Sequence, residues 1–162
     1  MAAPTLTLTP TEASAIQTVL RRYRNKGGSA LLPCLHDVQA ITGWLDEGTC
    51  SAIGKSLNVP LVQVHSVIEF YTLFYNEPVG KHILRVCDDM PCYLAGSQNI
   101  VRACSEQLGV EPHGGTSDDG EYTLEIHPCL GHCEQAPYLM VDDDEYGHVT
   151  PEQIPALLGG GE

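Results

Sequence analysis

The chain has 162 residues, 43% of them apolar and 18% charged, and a formal net charge of −13. That length suits one domain or two small ones with a buried core, and no apolar run approaches the roughly 18 residues needed to cross a bilayer. So acidic a chain repels nucleic acid and anionic membrane surface, which excludes both as expected partners. Its polar N-terminus also lacks the basic-then-apolar order of an export signal.

Residues 1–8 read as a disordered lead. Thr9-Pro10-Thr11-Glu12 then gives an N-cap, a proline at the first helical position and a Glu at the third, the pattern of a capping box. Ile16, Val19, Leu20 and Tyr23 follow at helical spacing, and Gly27-Gly28 closes the run. Arg21, Arg22, Arg24 and Lys26 near its end are half of the chain's basic residues. They complement the negative end of the helix, or they form a docking patch for an acidic partner.

Leu31, Leu32, Leu35, Val38 and Ile41 mark a second helix, in which Pro33 falls early enough to be tolerated, and Trp44-Leu45 packs its far end. A third helix is expected over about 47–57. Asn58-Val59-Pro60 restarts the chain into a fourth, striped by Leu61, Val64, Val67, Ile68 and Tyr71. Two helices joined this way resemble a helix-turn-helix. The second offers Gln63, His65, Ser66 and Glu69 and no cation for phosphate, which argues against DNA binding.

Phe70 to Phe74 is an aromatic hinge, and residues 76–80 read as a linker. The predicted order beyond it is strand (82–86), helix (about 92–108), strand (121–126), strand (138–141), strand (146–149) and helix (151–158), close to β-α-β-β-α with an irregular second crossover. The expected fold class is α+β: a helical bundle over residues 9–75 followed by a smaller α/β domain over 81–158. His113 to Gly120 is a loop without the glycine pattern or lysine of a phosphate cradle. Asp142-Asp143-Asp144-Glu145 lacks the spacing of a calcium loop and reads as a solvated turn.

Two cysteine pairs dominate this second half: Cys87 with Cys92, a C-x4-C, and Cys129 with Cys133, a C-x3-C. Each pair follows a predicted strand, so four thiols should converge in loops on one face and suggest a metal centre. Structural zinc usually takes pairs spaced C-x2-C, a poor fit here. A binuclear iron–sulfur cluster needs two thiolates on each of two irons, and wider loops let both sulfurs of a pair reach one iron. Zinc and thiol–disulfide chemistry stay as alternatives on spacing alone, although a thioredoxin-type redox pair is normally C-x-x-C. Seven cysteines without an export signal point to a reducing, cytoplasmic compartment. Cys34, Cys50 and Cys104 fall on helical stripes and read as buried apolar residues. His132, beside Cys133, is a fifth possible ligand or a loop residue coupling protonation to reduction. Cys92 is expected just ahead of a helix N-terminus, and Gly131 is expected to supply a turn that side chains resist.

Charge follows the same division. Residues 1–80 hold five Lys and Arg against six Asp and Glu, whereas residues 81–162 hold three against fifteen. Negative charge around a cluster disfavours an added electron and lowers its potential.

The C-x4-C, the segment Cys129-Leu130-Gly131-His132-Cys133 with Ala136-Pro137 behind it, and the closing Tyr146-Gly147-His148-Val149-Thr150-Pro151-Glu152 resemble the thioredoxin-like [2Fe-2S] ferredoxin family. The likeness extends through Leu31 to Gln39 and Phe70 to Phe74. It departs from the family at Cys34, where an ordinary apolar residue is usual. The resemblance implies a thioredoxin-like second domain and a [2Fe-2S] cluster on Cys87, Cys92, Cys129 and Cys133. It also implies a non-catalytic electron-transfer role in an NAD(H)-dependent oxidoreductase: respiratory complex I (NADH:quinone oxidoreductase), or the equivalent subunit of an NAD-linked hydrogenase or formate dehydrogenase. The implied partners are a flavin-containing NAD(H)-binding subunit and other iron–sulfur subunits. The chain would then be peripheral to the membrane, without direct insertion.

Overall fold

The computed structural model describes residues 6–159; the expected disordered lead over residues 1–8 lies largely outside them. The chain divides between Pro78 and Val79 into two compact units.

The first unit is helical. α1 (Pro10–Tyr23) opens with the capping box read from the sequence: the Glu12 amide donates to the Thr9 hydroxyl and the Thr9 amide to the Glu12 carboxylate. It ends at Tyr23, ahead of the glycine pair, because Asn25 takes a left-handed conformation (φ 58°) and donates its N–H to Ser56 O at 3.0 Å. A 3-10 turn over Gly28–Ala30 leads into α2 (Leu31–Thr42). α3 (Glu47–Leu57) is capped by Asp46, and α4 (Leu61–Phe70) follows a left-handed Asn58. The apolar stripes meet in one core of Ile16, Leu20, Leu31, Leu35, Val38, Ile53, Leu57 and Val64. Gln39 fastens the segment after α4 to α2: its side-chain amide donates to Leu73 O and its carbonyl accepts the Tyr75 N–H, both at 2.8 Å.

The second unit is a five-stranded sheet with helices. Its elements in chain order are β1 (His82–Cys87), α5 (Met90–Leu94), α6 (Ser97–Leu108), β2 (Gly115–Thr116), β3 (Tyr122–His127), β4 (Leu139–Val141), β5 (Asp144–Tyr146) and α7 (Ile154–Gly159). The sheet order is β2-β3-β1-β4-β5. β1 and β3 run parallel in register from His82 opposite Tyr122 to Cys87 opposite His127, whereas β4 and β5 are antiparallel. Leu84, Val86, Leu124 and Leu139 of the sheet pack with Ile100, Val101 and Cys104 of α6 and with Ile154 of α7.

Four expected elements differ. The helix placed at about 92–108 is two helices, broken where Gly96 turns left-handed (φ 97°). The last strand lies over Asp144–Tyr146 rather than 146–149, so part of the acidic run is strand. β5 is an edge strand, and exposed carboxylates suit an edge that must not pair further. The loop over 113–120 contains the two-residue β2, too short to leave a pattern. The expected C-terminal helix begins as a 3-10 turn over Pro151–Gln153, with its own capping box from Thr150 and Gln153, before α7.

Candidate metal centre

The parallel pair β1 and β3 ends at one level, so the loops leaving Cys87 and His127 emerge side by side. Three hydrogen bonds, two of them between backbone groups, fix the first loop: the Cys87 N–H donates to Tyr138 O (3.0 Å), the Asp88 N–H to His127 O (2.9 Å), and the Cys87 thiol to Pro128 O (3.7 Å). Asp88 then bridges to α6, accepting from the Ser97 hydroxyl (2.6 Å) and the Gln98 side-chain amide (2.7 Å). This carboxylate is therefore a tie between loop and helix rather than a group facing solvent.

Cys92 sits inside α5, not ahead of a helix as its sequence context implied, because the helical turn already starts at Met90. It is 1% exposed and packs with Cys87 and Tyr138, against Leu130, Ala136 and Met140. Burial, reinforced by the Cys87 thiol, pushes the Cys92 thiol up to about 11. Around it Met90, Tyr93 and Leu94 are exposed, Leu94 by 78%, so an apolar skin borders the buried thiols.

The second loop carries Cys129 and Cys133, both exposed. Gly131 between them has φ 92° with nothing within 4 Å of a Cβ added there, so the glycine is required by conformation and not by space. The Cys129 and Cys133 sulfurs lie 3.9 Å apart. A hydrogen bond with Cys129 raises the Cys133 thiol above its usual range, and Cys87 and Asp89 add to this electrostatically. Cys87 and Cys92 thus pack together and Cys129 and Cys133 lie side by side, with Cys133 near enough to Cys87 and Cys92 to act on them electrostatically. Cys34, Cys50 and Cys104 stay apart from them in the two cores, where burial pushes their thiols up to about 11, 11 and 12 and leaves them inert.

Two thiolates held tetrahedrally by one metal at about 2.3 Å sit about 3.8 Å apart, and the Cys129 to Cys133 spacing fits this. A disulfide needs about 2.05 Å, and all seven cysteines are free. Among the described residues no three His, Cys, Asp or Glu side chains gather closely enough to hold a single ion.

His132 stacks on Tyr138 with ring centroids 4.7 Å apart. Its Nδ1 lies 3.5 Å from Glu134 and its Nε2 3.8 Å from Glu145, so both nitrogens face carboxylates. The Tyr138 hydroxyl is raised above the usual tyrosine range by burial and then by Glu145. Tyr138 went unnoticed in the sequence because its two roles, a backbone acceptor for Cys87 and a platform for His132, follow from how the loops fold and leave no mark on its own neighbourhood.

Comparison with known proteins shows the family. Residues 16–161 match the thioredoxin-like [2Fe-2S] ferredoxin family. The chain belongs to that family. It is 40% identical over 151 residues to the E-type subunit of NADH-quinone oxidoreductase from Pseudomonas aeruginosa, covering 93% of this chain and 90% of the relative. It is 37% identical to the corresponding E-type protein of Escherichia coli, again over 151 residues and with the same coverage. Among solved structures, it superposes on an NAD+-reducing [NiFe]-hydrogenase with a TM-score of 0.70 at 19% identity. That match covers 80% of this chain and 22% of the hydrogenase chain, and it supports the fold alone. Among the described residues, no helix is long and apolar enough to cross a membrane.

Proposed function

We propose that Cys87, Cys92, Cys129 and Cys133 hold the [2Fe-2S] cluster of this ferredoxin, and that the chain is the electron-transfer subunit of an NADH-quinone oxidoreductase, a component without its own active site. The observation that carries the reading is the pairing of the thiols, with one pair at the spacing that a shared tetrahedral metal requires. When bound, the cluster supplies one-electron chemistry.

The residues around it do the rest. Cys87 and Cys92 keep one side of the site dry, beneath Tyr138 and Leu130. Cys129 and Cys133 leave the other side exposed, where an electron can enter or leave. Asp89 and Glu134 are exposed in the two loops and oppose added negative charge, which lowers the potential at which the site accepts an electron. Met90, Tyr93 and Leu94 offer a partner an apolar surface beside the thiols. The partner proposed is the flavin-containing NAD(H)-binding subunit, with further iron–sulfur subunits in the same assembly, peripheral to the membrane on the cytoplasmic side. The second reading, carried by the resemblance of the cysteine motifs, is the equivalent subunit of an NAD-linked hydrogenase or formate dehydrogenase.

A thiol oxidoreductase is disfavoured. The thiol pairs are spaced C-x4-C and C-x3-C, and Cys92 is buried and its thiol raised, where an attacking thiol must be exposed and ionised. Anaerobically purified protein should contain two irons and two labile sulfides per chain and develop a paramagnetic signal on dithionite reduction. Colourless, iron-free protein that reduces insulin disulfides would overturn the proposal. Subunits co-purifying with the native protein distinguish the oxidoreductase from the hydrogenase or formate dehydrogenase.

A further inference from the structure

We infer that the concavity where α1 and α3 end, in the helical unit, is an anion pocket for a phosphate-bearing small molecule. It is a space of about 540 Å³ lined by Gln17, Arg21, Arg24, Asn25, Lys55 and Ser56 among others, and no carboxylate is among the described lining residues. In a chain of net charge −13, three basic residues line this one hollow.

Basic residues at a helix C-terminus ordinarily balance the helix dipole or cap its last carbonyls. Here much of that work is already done. The Leu20 carbonyl accepts the Ser56 hydroxyl (2.9 Å), Ser56 O the Asn25 N–H (3.0 Å), and Tyr23 O the Lys26 N–H (3.1 Å). At the end of α3, Gly54 O and Lys55 O accept the Asn58 N–H. The neighbouring cations have other partners: Arg22 pairs with Asp37 at 3.0 Å, and Lys26 lies over the Tyr23 ring at 5.4 Å. Arg21 donates its Nε–H to Gln17 O (3.3 Å), a contact that steadies the side chain without neutralising it. Arg21, Arg24 and Lys55 take part in no salt bridge among the described residues. Their mutual repulsion is uncompensated until an anion enters.

The arrangement also indicates which anion. Arg21 lies in the last turn of α1 and Arg24 is the residue that caps it, and both line the hollow. Their planar guanidinium forks match phosphate oxygens two at a time, and Lys55 adds a third charge from the last turn of α3. The Gln17 and Asn25 side-chain amides supply neutral donors. An acidic peptide would need cations in a row along its length. These three line a single hollow instead, which suits a compact, multiply charged group.

The test is an amide NMR titration of the ¹⁵N-labelled full-length protein, cluster loaded, with inorganic pyrophosphate at constant ionic strength. Saturable shifts are expected at residues 21–25 and 55–56, with a dissociation constant below about 1 mM. The Arg21→Gln/Arg24→Gln variant should lose at least about tenfold in affinity, as should Lys55→Gln, with amide positions elsewhere and the visible spectrum unchanged. Shifts that do not saturate, or that persist equally in both variants, overturn the inference. So does binding of a hexaglutamate peptide where pyrophosphate fails, which would make the hollow a docking point for an acidic protein segment. None of these readouts depends on electron transfer, so the inference and the proposed function fail separately.

Discussion

Asp88 Oδ1 accepts a 2.6 Å hydrogen bond from Ser97 Oγ, and that pair joins the first cysteine loop to α6. Ser97 is fully buried, so removing its acceptor strands a hydroxyl away from water. Asp88→Ala should destabilise the sheet unit by about 1–3 kcal/mol, measured by urea unfolding. It should also hasten iron loss to a chelator, because the loop holding Cys87 and Cys92 loses its anchor. Asp88→Asn, which keeps an acceptor for Ser97, should lose less.

The cysteines should sort into two classes. Cys133→Ala or Cys129→Ala is expected to abolish the visible spectrum and stoichiometric iron. Cys34→Ala and Cys104→Ala, in the two cores, should keep full iron content while lowering the urea midpoint, since each vacates volume at 0% exposure. Iron and sulfide analysis of the four variants checks the division. His132→Ala should retain the cluster, because both its ring nitrogens face Glu134 and Glu145.

The stability of the helical unit should fall in acid through Asp46. Burial works to raise this carboxyl, but the Thr49 side chain and amide and the Leu6 amide outweigh it, so the group sits below its usual range. A lowered folded-state value means stability that is present above the unfolded value and lost as pH falls through the folded one. Unfolding of the wild type should therefore become easier below about pH 4. Asp46→Ala should flatten this dependence and cost about 0.5–2 kcal/mol near neutrality through the lost N-cap. Denaturant melts from pH 7 to pH 2.5 provide the comparison.

Gly80 lies against β3 so closely that an added Cβ would meet Tyr122 C at 2.5 Å and Thr123 N at 2.8 Å. Both are backbone atoms and cannot swing aside. Its own N–H donates to Thr123 Oγ1 at 2.6 Å, which holds the entry to β1 in place. Gly80→Ala should cost about 1–3 kcal/mol by overpacking, whereas Gly109→Ala, with open space around it, should show only the cost of its positive φ. Thermal melts of the two variants give the contrast.

The exposed skin beside Cys92 makes a prediction for assembly. Leu94→Glu places a charge where 78% of a leucine is exposed, so it should leave the fold and cluster intact while weakening capture of the proposed flavin-containing partner at least about tenfold. Pull-down from cells expressing the whole complex, with Gln107→Glu on exposed α6 surface as control, measures it. Equal capture by both variants would place the interface elsewhere.

What the sequence disclosed and what it withheld divide by range. The capping boxes at Thr9 and Thr150 and the stripe from Ile16 to Tyr23 are local, so the helices they start or line were legible. The cysteine pairs stand out by their spacing, which by itself leaves zinc and thiol–disulfide chemistry open beside a cluster. The break at Gly96 was hidden in an otherwise helical run. β5 was misplaced because an edge strand rich in carboxylates lacks the apolar alternation that marks a strand. The Tyr138 stack and the bridge from Asp88 to Ser97 and Gln98 depend on how separate segments meet, and nothing in their own neighbourhoods announces them.

The residue-for-residue alignment of β1 with β3 also sets how the sulfur site can come apart. A shift by one position would turn Leu84 and Val86 away from α6 and displace Cys87 from its partner loop in the same movement. Breathing of the site and breathing of the sheet are then a single event. Deuterium uptake at the amides of Leu84 and Val86, read by mass spectrometry, becomes a gauge of how often the metal-holding loops separate.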